Sequence, residues 1–272
     1  MVFQGSAGLV VFLLLAWLMG ENRKQVSLKM VVVGIGAQVI TGLILLKAPV
    51  FRQVFLVLND GVMALEAATT AGTAFVFGYL GGAPLPFAET YPGAAFVLAF
   101  RALPLVLVIS ALSALLFHWH ILPLVVRGFS WCLRKTMGLG GAEGLGVSAN
   151  VFVGMVESPL FVRPYLEKMT RSELFTLMTA GMATIAGTVM VLYASILGDA
   201  IPGVMGHILT ASIISVPAAV TVAKVMIPET GSPTGGELEA THPDAGSMDA
   251  LTRGTLQGVE LLINIIAMLV VL

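Results

Sequence analysis

The chain has 272 residues, 57% hydrophobic and 11% charged, with a net charge of −1 and a mean hydropathy of +0.97. Soluble domains carry about 25% charged residues, so this is an integral membrane protein. The near-neutral charge and the lack of a basic stripe or aromatic platform exclude nucleic-acid binding.

Hydropathy places the first helices at about Val2–Gly20 and Leu28–Leu46. The first apolar run has no basic stretch before it and no small-x-small site after it, so it reads as a transmembrane helix and not a cleaved signal. Arg52–Gly82 carries Asp60 and Glu66 among apolar residues, which fits an interfacial amphipathic helix. The turn-rich GYLGGAPLPFAETYPG follows, then a long apolar helix at about Gly93–Phe117. Trp119, Trp131, Arg127, Arg134 and Lys135 mark a second interfacial segment. GLGGAEGLG (138–146) reads as a flexible lead-in to what comes next, without a dinucleotide fingerprint or a βαβ context.

That next stretch is SANVFVGMVESPLFVRPYL, Ser148–Leu166, apolar but for Glu157 and interrupted by Pro159. A single span needs about 20 apolar residues, and each half here is shorter. It is therefore expected to be a re-entrant hairpin, from about Gly144 to Leu166, whose tip carries Asn150, Gly154 and Glu157. Thr170-x-x-Glu173 is a capping box that should start a helix over about Ser172–Leu197. This helix has a small and polar patch at Thr179, Gly181, Thr184, Gly187 and Thr188. The turn GDAIPG leads to a span at about Val204–Ile227. PETGSPTGGELEATHPDAGSMDALTRG then reads as a disordered linker, and a final apolar run begins at Thr255.

Basic residues cluster after the first helix, after the third, and on both sides of the hairpin, which puts the N-terminus outside by the positive-inside rule. Both hairpin ends then face the cytoplasm, as re-entry requires. A charge at membrane depth costs about 2.5–3.5 kcal/mol, so Glu157 is either a functional group or an ion-pair partner of Arg163. His118 and His120 are two apart on a helix and share no face for a metal. No Ser/His/Asp or Cys/His arrangement stands out, and Cys132 is the single cysteine. No enzyme and no bound cofactor are expected.

At these residues the chain resembles the concentrative nucleoside transporters. The family pattern S-A-A-N-x-F-x-G-Q-T-E-A-P-L-x-x-x-P-Y is similar to SANVFVGMVESPLFVRPYL, and the likeness continues through MTRSELFTLMTAGMATIAGTVMVLYAS, VPAAVTVAKVMIPET and GTAFVFGYLGG. The resemblance implies a cation-coupled nucleoside symporter in the cytoplasmic membrane, assembled as a homotrimer, with re-entrant hairpins and a broken helix after the first. It places the nucleobase-contacting positions on Met155, Val156 and Glu157, of which only the glutamate keeps the family's residue type. It places sodium on the Asn150 side chain, the Val153 carbonyl, the Thr184 hydroxyl and the Ile185 carbonyl. Proton coupling through Glu157 stays open.

Met155 and Val156 stand where the family has an amide and a hydroxyl, so base selectivity should differ, with purines the favoured guess. Family members continue beyond Leu272 with a second hairpin, so the chain reads as the N-terminal part of a transporter. A non-transporting membrane scaffold is the other reading. The expected organisation is scaffold helices over 1–92, a third span and interfacial segment over 93–142, and the hairpin, broken helix and span over 143–228. A cytoplasmic loop over 229–253 and the start of another span over 254–272 complete it.

Overall fold

Apolar runs in a medium without water satisfy their backbone groups by forming helices, and every described element of the computed structural model is helical. The structure describes residues 2–47, 49–89, 94–152, 155, 158, 162–198, 200–201, 203–236 and 245–271. In order the helices are α1 Val2–Met19, α2 Leu28–Lys47, α3 Pro49–Phe77, α4 Leu98–Arg101, α5 Leu105–His118 and α6 Ile121–Met137. They continue as α7 Gly141–Ala149, α8 Arg171–Ala183, α9 Gly187–Leu197, α10 Val204–Met226 and α11 Ser247–Val271. Among the described residues five stretches are long and apolar enough to span a membrane: Leu28–Lys47, Asp60–Gly81, Leu98–His118, Val204–Met226 and Ser247–Val271.

Two compact units emerge. The first comprises Met1–Ala48, Pro123–Ala186 and Thr210–His242, and the second Pro49–Leu122, Gly187–Leu209 and Pro243–Leu272. The core of the first joins Leu133 and Met137 of α6, Val147 of α7, Ala180 of α8 and Val216, Ala219 and Val220 of α10. α2 reaches α10 through Gly34, where any side chain would run into Thr221. The core of the second joins Leu103, Val106 of α5 and Leu192 of α9, with Leu261, Leu262, Ile265 and Ile266 of α11 against them. α11 lies on α5 through two glycines. A Cβ on Gly254 would come 2.6 Å from the Ala114 Cβ, and one on Gly258 2.9 Å from the Leu107 Cα. Small residues at such contacts let two backbones approach and gain dispersion, the main attraction between helices in lipid.

Several expectations change. The helix expected over Gly93–Phe117 starts at Leu98 and is interrupted at 102–104. Pro104 has no N–H to give to a continuing helix and its ring excludes the preceding turn, so α5 restarts from it. The run over Ser172–Leu197 breaks at Thr184, which is extended at φ −101°, ψ 160°, as the family resemblance implied and hydropathy did not. The Gly-rich lead-in is not flexible loop. Residues 141–149 are helical and every one is buried. Nor is the start of the last loop a disordered linker, because 228–236 are fixed by hydrogen bonds described below, and α11 begins at Ser247, not Thr255. The segment expected to be interfacial forms the amphipathic α6, burying Val126, Ser130 and Leu133 while Lys135 lies 5.0 Å from the exposed Trp131 ring.

Gly254→Val should wedge α11 off α5 and cost about 1–3 kcal/mol, as overpacking does. Thermal unfolding in detergent should show a clear fall in Tm, while Gly61→Ala, in open space on α3, should leave Tm unchanged or slightly raised.

Candidate functional site

α7 is only nine residues long, about 13 Å at helical rise, so both of its ends fall within the first unit's interior. Its small residues permit that. Gly146 admits Leu177 of α8, whose Cδ1 would lie 2.5 Å from a Cβ there, and the Ser158 hydroxyl donates to the Gly146 carbonyl. The helix ends on Asn150, whose N–H donates to the Gly146 carbonyl at 3.1 Å. α8 runs from its capping box to Thr184, whose N–H donates to the Ala180 carbonyl at 3.1 Å.

The two C-terminal ends meet. Asn150 is 2% exposed, and its Nδ2 donates to the Leu177 carbonyl at 3.3 Å. The Thr184 Oγ1 lies 3.1 Å from the Asn150 carbonyl and 2.9 Å from the Ala180 carbonyl. One hydroxyl proton serves one of them, which leaves oxygen facing oxygen at the other. The Asn150 Oδ1 is buried and accepts no hydrogen bond among the described residues. Each helix C-terminus adds about half a negative charge. The donor set is therefore oxygen only, buried at Asn150 and half-buried at Thr184, and short of positive charge, which fits a hard cation such as sodium. Among the described residues no group of three His, Cys, Asp or Glu side chains could hold a metal ion.

The structure brings Asn150 and Thr184 together as expected, and Ile185 follows at the break, its N–H donating to the Ser212 Oγ of α10 at 3.4 Å. Met155 stands 60% exposed beside them. A Cβ on Gly181 would lie 2.9 Å from the Met155 Cβ and 3.4 Å from the Asn150 Oδ1. Val153, Val156 and Glu157 lie outside the described residues, and so does the alternative pairing of Glu157 with Arg163.

The opposite ends of α7 and α8 hold a buried charge cluster, of which the sequence reading had only the Thr170-x-x-Glu173 capping box. Glu143 and Glu173 each occupy the third helical position of their helix, and both are buried, at 1% and 0% exposure. Lys224 of α10, 9% exposed, places Nζ 2.8 Å from Glu143 and 3.2 Å from Glu229, and donates to the Ser172 Oγ at 3.1 Å. Glu173 accepts the Thr170 N–H at 2.9 Å, the Thr234 N–H at 2.7 Å and the Thr234 hydroxyl at 2.7 Å. Burial alone would raise the Glu229 carboxyl. The Gly231 N–H, the Thr170 hydroxyl and Lys224 outweigh it and hold the group below the usual carboxylate range. The available signal was Lys224 alone in an apolar run (AAVTVAKVM), a charge that needs a buried partner.

The chain is similar to known proteins. Family models described as Na+ dependent nucleoside transporter N-terminus, nucleoside recognition and Na+ dependent nucleoside transporter C-terminus match residues 7–80, 99–200 and 207–272. The chain is 33% identical over 271 residues to an uncharacterized transporter of Haemophilus influenzae, covering 99% of this chain and 62% of that protein. It is 30% identical over 263 residues to the nucleoside permease NupC of Helicobacter pylori, covering 96% of this chain and 61% of that one. Solute carrier family 28 member 3 of Rattus norvegicus is 36% identical over 268 residues, 97% of this chain and 36% of that protein. The solved structure of CNTnw in an inward-facing substrate-bound state superposes with a TM-score of 0.88 at 29% identity, covering 99% of this chain and 64% of that chain. The chain thus spans less than two thirds of the length of each of these proteins.

Lys224→Met should leave Glu143 buried without its cation, at about 3–5 kcal/mol. Thermal unfolding in detergent should show a large loss of stability, and adding Glu143→Gln to the same chain should restore most of it. Equal losses for the single and double variants would exclude the ion pair as the cause.

Proposed function

Because the chain belongs to the concentrative, Na+ dependent nucleoside transporter family, a family of transporters and not of enzymes, we propose that it imports nucleosides across the cytoplasmic membrane by symport with sodium. One observation carries the coupling ion: the Asn150 Oδ1 is buried without a partner where the C-termini of α7 and α8 converge. Transporter sites recur at such breaks, with helix C-terminal ends and unwound carbonyls toward the cation. In this reading Asn150 and Thr184 supply side-chain oxygens, and Val153 and Ile185 supply carbonyls. The ion gradient supplies the free energy that drives the nucleoside inward.

On the nucleoside side, Glu157 accepts hydrogen bonds from the base, with Met155 and Val156 as apolar neighbours. Losing an amide and a hydroxyl there leaves polar base edges short of partners, at about 1–3 kcal/mol each. That sets base selectivity apart from relatives that carry Gln-Thr. The reading also takes residues 144–166 as a hairpin that enters and leaves by the cytoplasmic face, with the N-terminus outside and a homotrimer as the assembled form. The basic residues on both sides of this stretch support the topology.

Cells expressing the protein should take up radiolabelled uridine or adenosine in sodium medium and lose most of that uptake when choline replaces sodium. Thr184→Val should raise the sodium concentration for half-maximal uptake about tenfold, the scale of one lost ligand. Uptake that survives in choline and collapses with a protonophore would replace sodium by the proton as coupling ion.

A further inference from the structure

The short segment 228–236 leaves α10 and crosses the N-terminal ends of α7 and α8. Thr234 binds both helices at once. Its carbonyl accepts the Ala142 N–H of α7 at 3.4 Å. Its N–H and hydroxyl each lie 2.7 Å from the Glu173 carboxylate of α8. The hydroxyl also lies 3.0 Å from the Lys168 carbonyl, so its proton is drawn to the nearer and charged acceptor. The segment then runs backbone to backbone along the first turn of α7. A Cβ on Gly141 would come 2.5 Å from the Gly236 N, and one on Gly236 would come 2.9 Å from the Ala142 N. No side chain fits between them.

Both helices are rigid rods whose far ends carry the proposed cation ligands. Ala142 lies about 12 Å before Asn150 along α7, and Glu173 about 16 Å before Thr184 along α8. Between these ends, α7 and α8 meet through Gly146 and Leu177 and through the Asn150 Nδ2. The bare Gly146 lets the Leu177 side chain seat against the α7 backbone. Thr234 joins the starting points of both rods, beside the bridge that Lys224 makes from Glu143 to Ser172.

We infer that Thr234 is a positioning residue for cation binding: the 228–236 segment is a strap that holds α7 and α8 in the register at which Asn150 and Thr184 share one ion. This rests on the sodium reading above and adds to it a residue remote from the ion. A strap that merely capped two helices would change stability and leave ion affinity alone. A register clamp changes ion affinity while the nucleoside contacts stay as they are.

The test uses the full-length transporter purified in detergent, with the midpoint of sodium-induced thermal stabilisation as the binding readout and choline chloride as the ionic control. Uptake gives the nucleoside KM at saturating sodium. Thr234→Val keeps the shape and the N–H but removes the hydroxyl, and should raise the sodium midpoint about tenfold, the scale of one charge-assisted hydrogen bond. The nucleoside KM should stay within twofold, and Thr234→Ser should restore the midpoint. Gly236→Ala, which pushes the strap off α7 but leaves Thr234 intact, should raise the midpoint in the same direction and covers the case of a poorly folding valine variant. Wild-type response with both variants within twofold of it overturns the clamp and leaves the sodium reading standing. A wild-type protein that sodium does not stabilise overturns the sodium reading, and the clamp with it.

Discussion

A helix end buried away from water carries unsatisfied backbone groups and a partial charge, and the first unit buries both ends of α7 and part-buries those of α8. α7 begins and ends inside it, the ends of α8 are partly buried against it, and neither the nine residues of one nor the thirteen of the other reach across a bilayer. Everything particular to this unit answers that constraint. At the N-terminal ends the answer is internal: Glu143 and Glu173 complement the helix dipoles, and Lys224 and Thr234 compensate the carboxylates. At the C-terminal ends it is incomplete, since the Asn150 Oδ1 and the Thr184 hydroxyl leave oxygens facing one another. On the proposed sodium reading, the protein satisfies one pair of ends with its own side chains and leaves the other pair to an ion, a site made from an ordinary folding requirement.

The two glutamates show why the same residue type differs in consequence. Glu173 was legible, since Thr170-x-x-Glu173 is a local pattern and forms the reciprocal bonds it predicts. Glu143 was not. Its partner Lys224 lies far along the chain on α10, and the glycines around it, read locally, indicate a loop. Those glycines serve tertiary contact. A Cβ on Gly144 would lie 3.0 Å from the Arg134 Cγ, and one on Gly140 would run into Glu173 and Thr234. The same error of scale recurs in PETGSPTGG, whose polar composition signals a linker, although its hydrogen-bonding groups are spent on α8 and α7. Composition reports what a segment can bury by itself, and it is blind to polar partners supplied from elsewhere.

The breaks in the helices divide along the same line. The interruption before α5 has a covalent cause in Pro104 and was available to any reader of the sequence. The break at Thr184–Ala186 has none, because no proline stands in it and its small and polar residues are all tolerated within a helix. It is held by tertiary groups: the Thr184 hydroxyl at Asn150 and Ala180, and the Ser212 Oγ that takes the Ile185 N–H. Only the resemblance to a family with a broken helix at this point anticipated it. Where local preference and native structure part in this way, the cost is tolerated for function.

Gly181 ties the cation side of the site to the nucleoside side. A glycine inside a helix costs about 0.5–1 kcal/mol against alanine, and α8 bears that cost one turn before its end. The space a methyl group would take at this position is flanked by the Met155 Cβ on one side and the Asn150 Oδ1 on the other. On the proposed roles, Met155 faces the base and Asn150 the ion, so both partners press on the same bare patch of α8. On those roles, Met155 and Val156 in place of the family's polar base-facing pair alter what the site can hydrogen-bond, while the contact of the Met155 Cβ with the bare face of Gly181 needs no polar group. Specificity can therefore drift while the oxygen set at Asn150 and Thr184 stays intact. A side chain at Gly181 would disturb both at once, which makes the absence of one methyl group the physical link between the two.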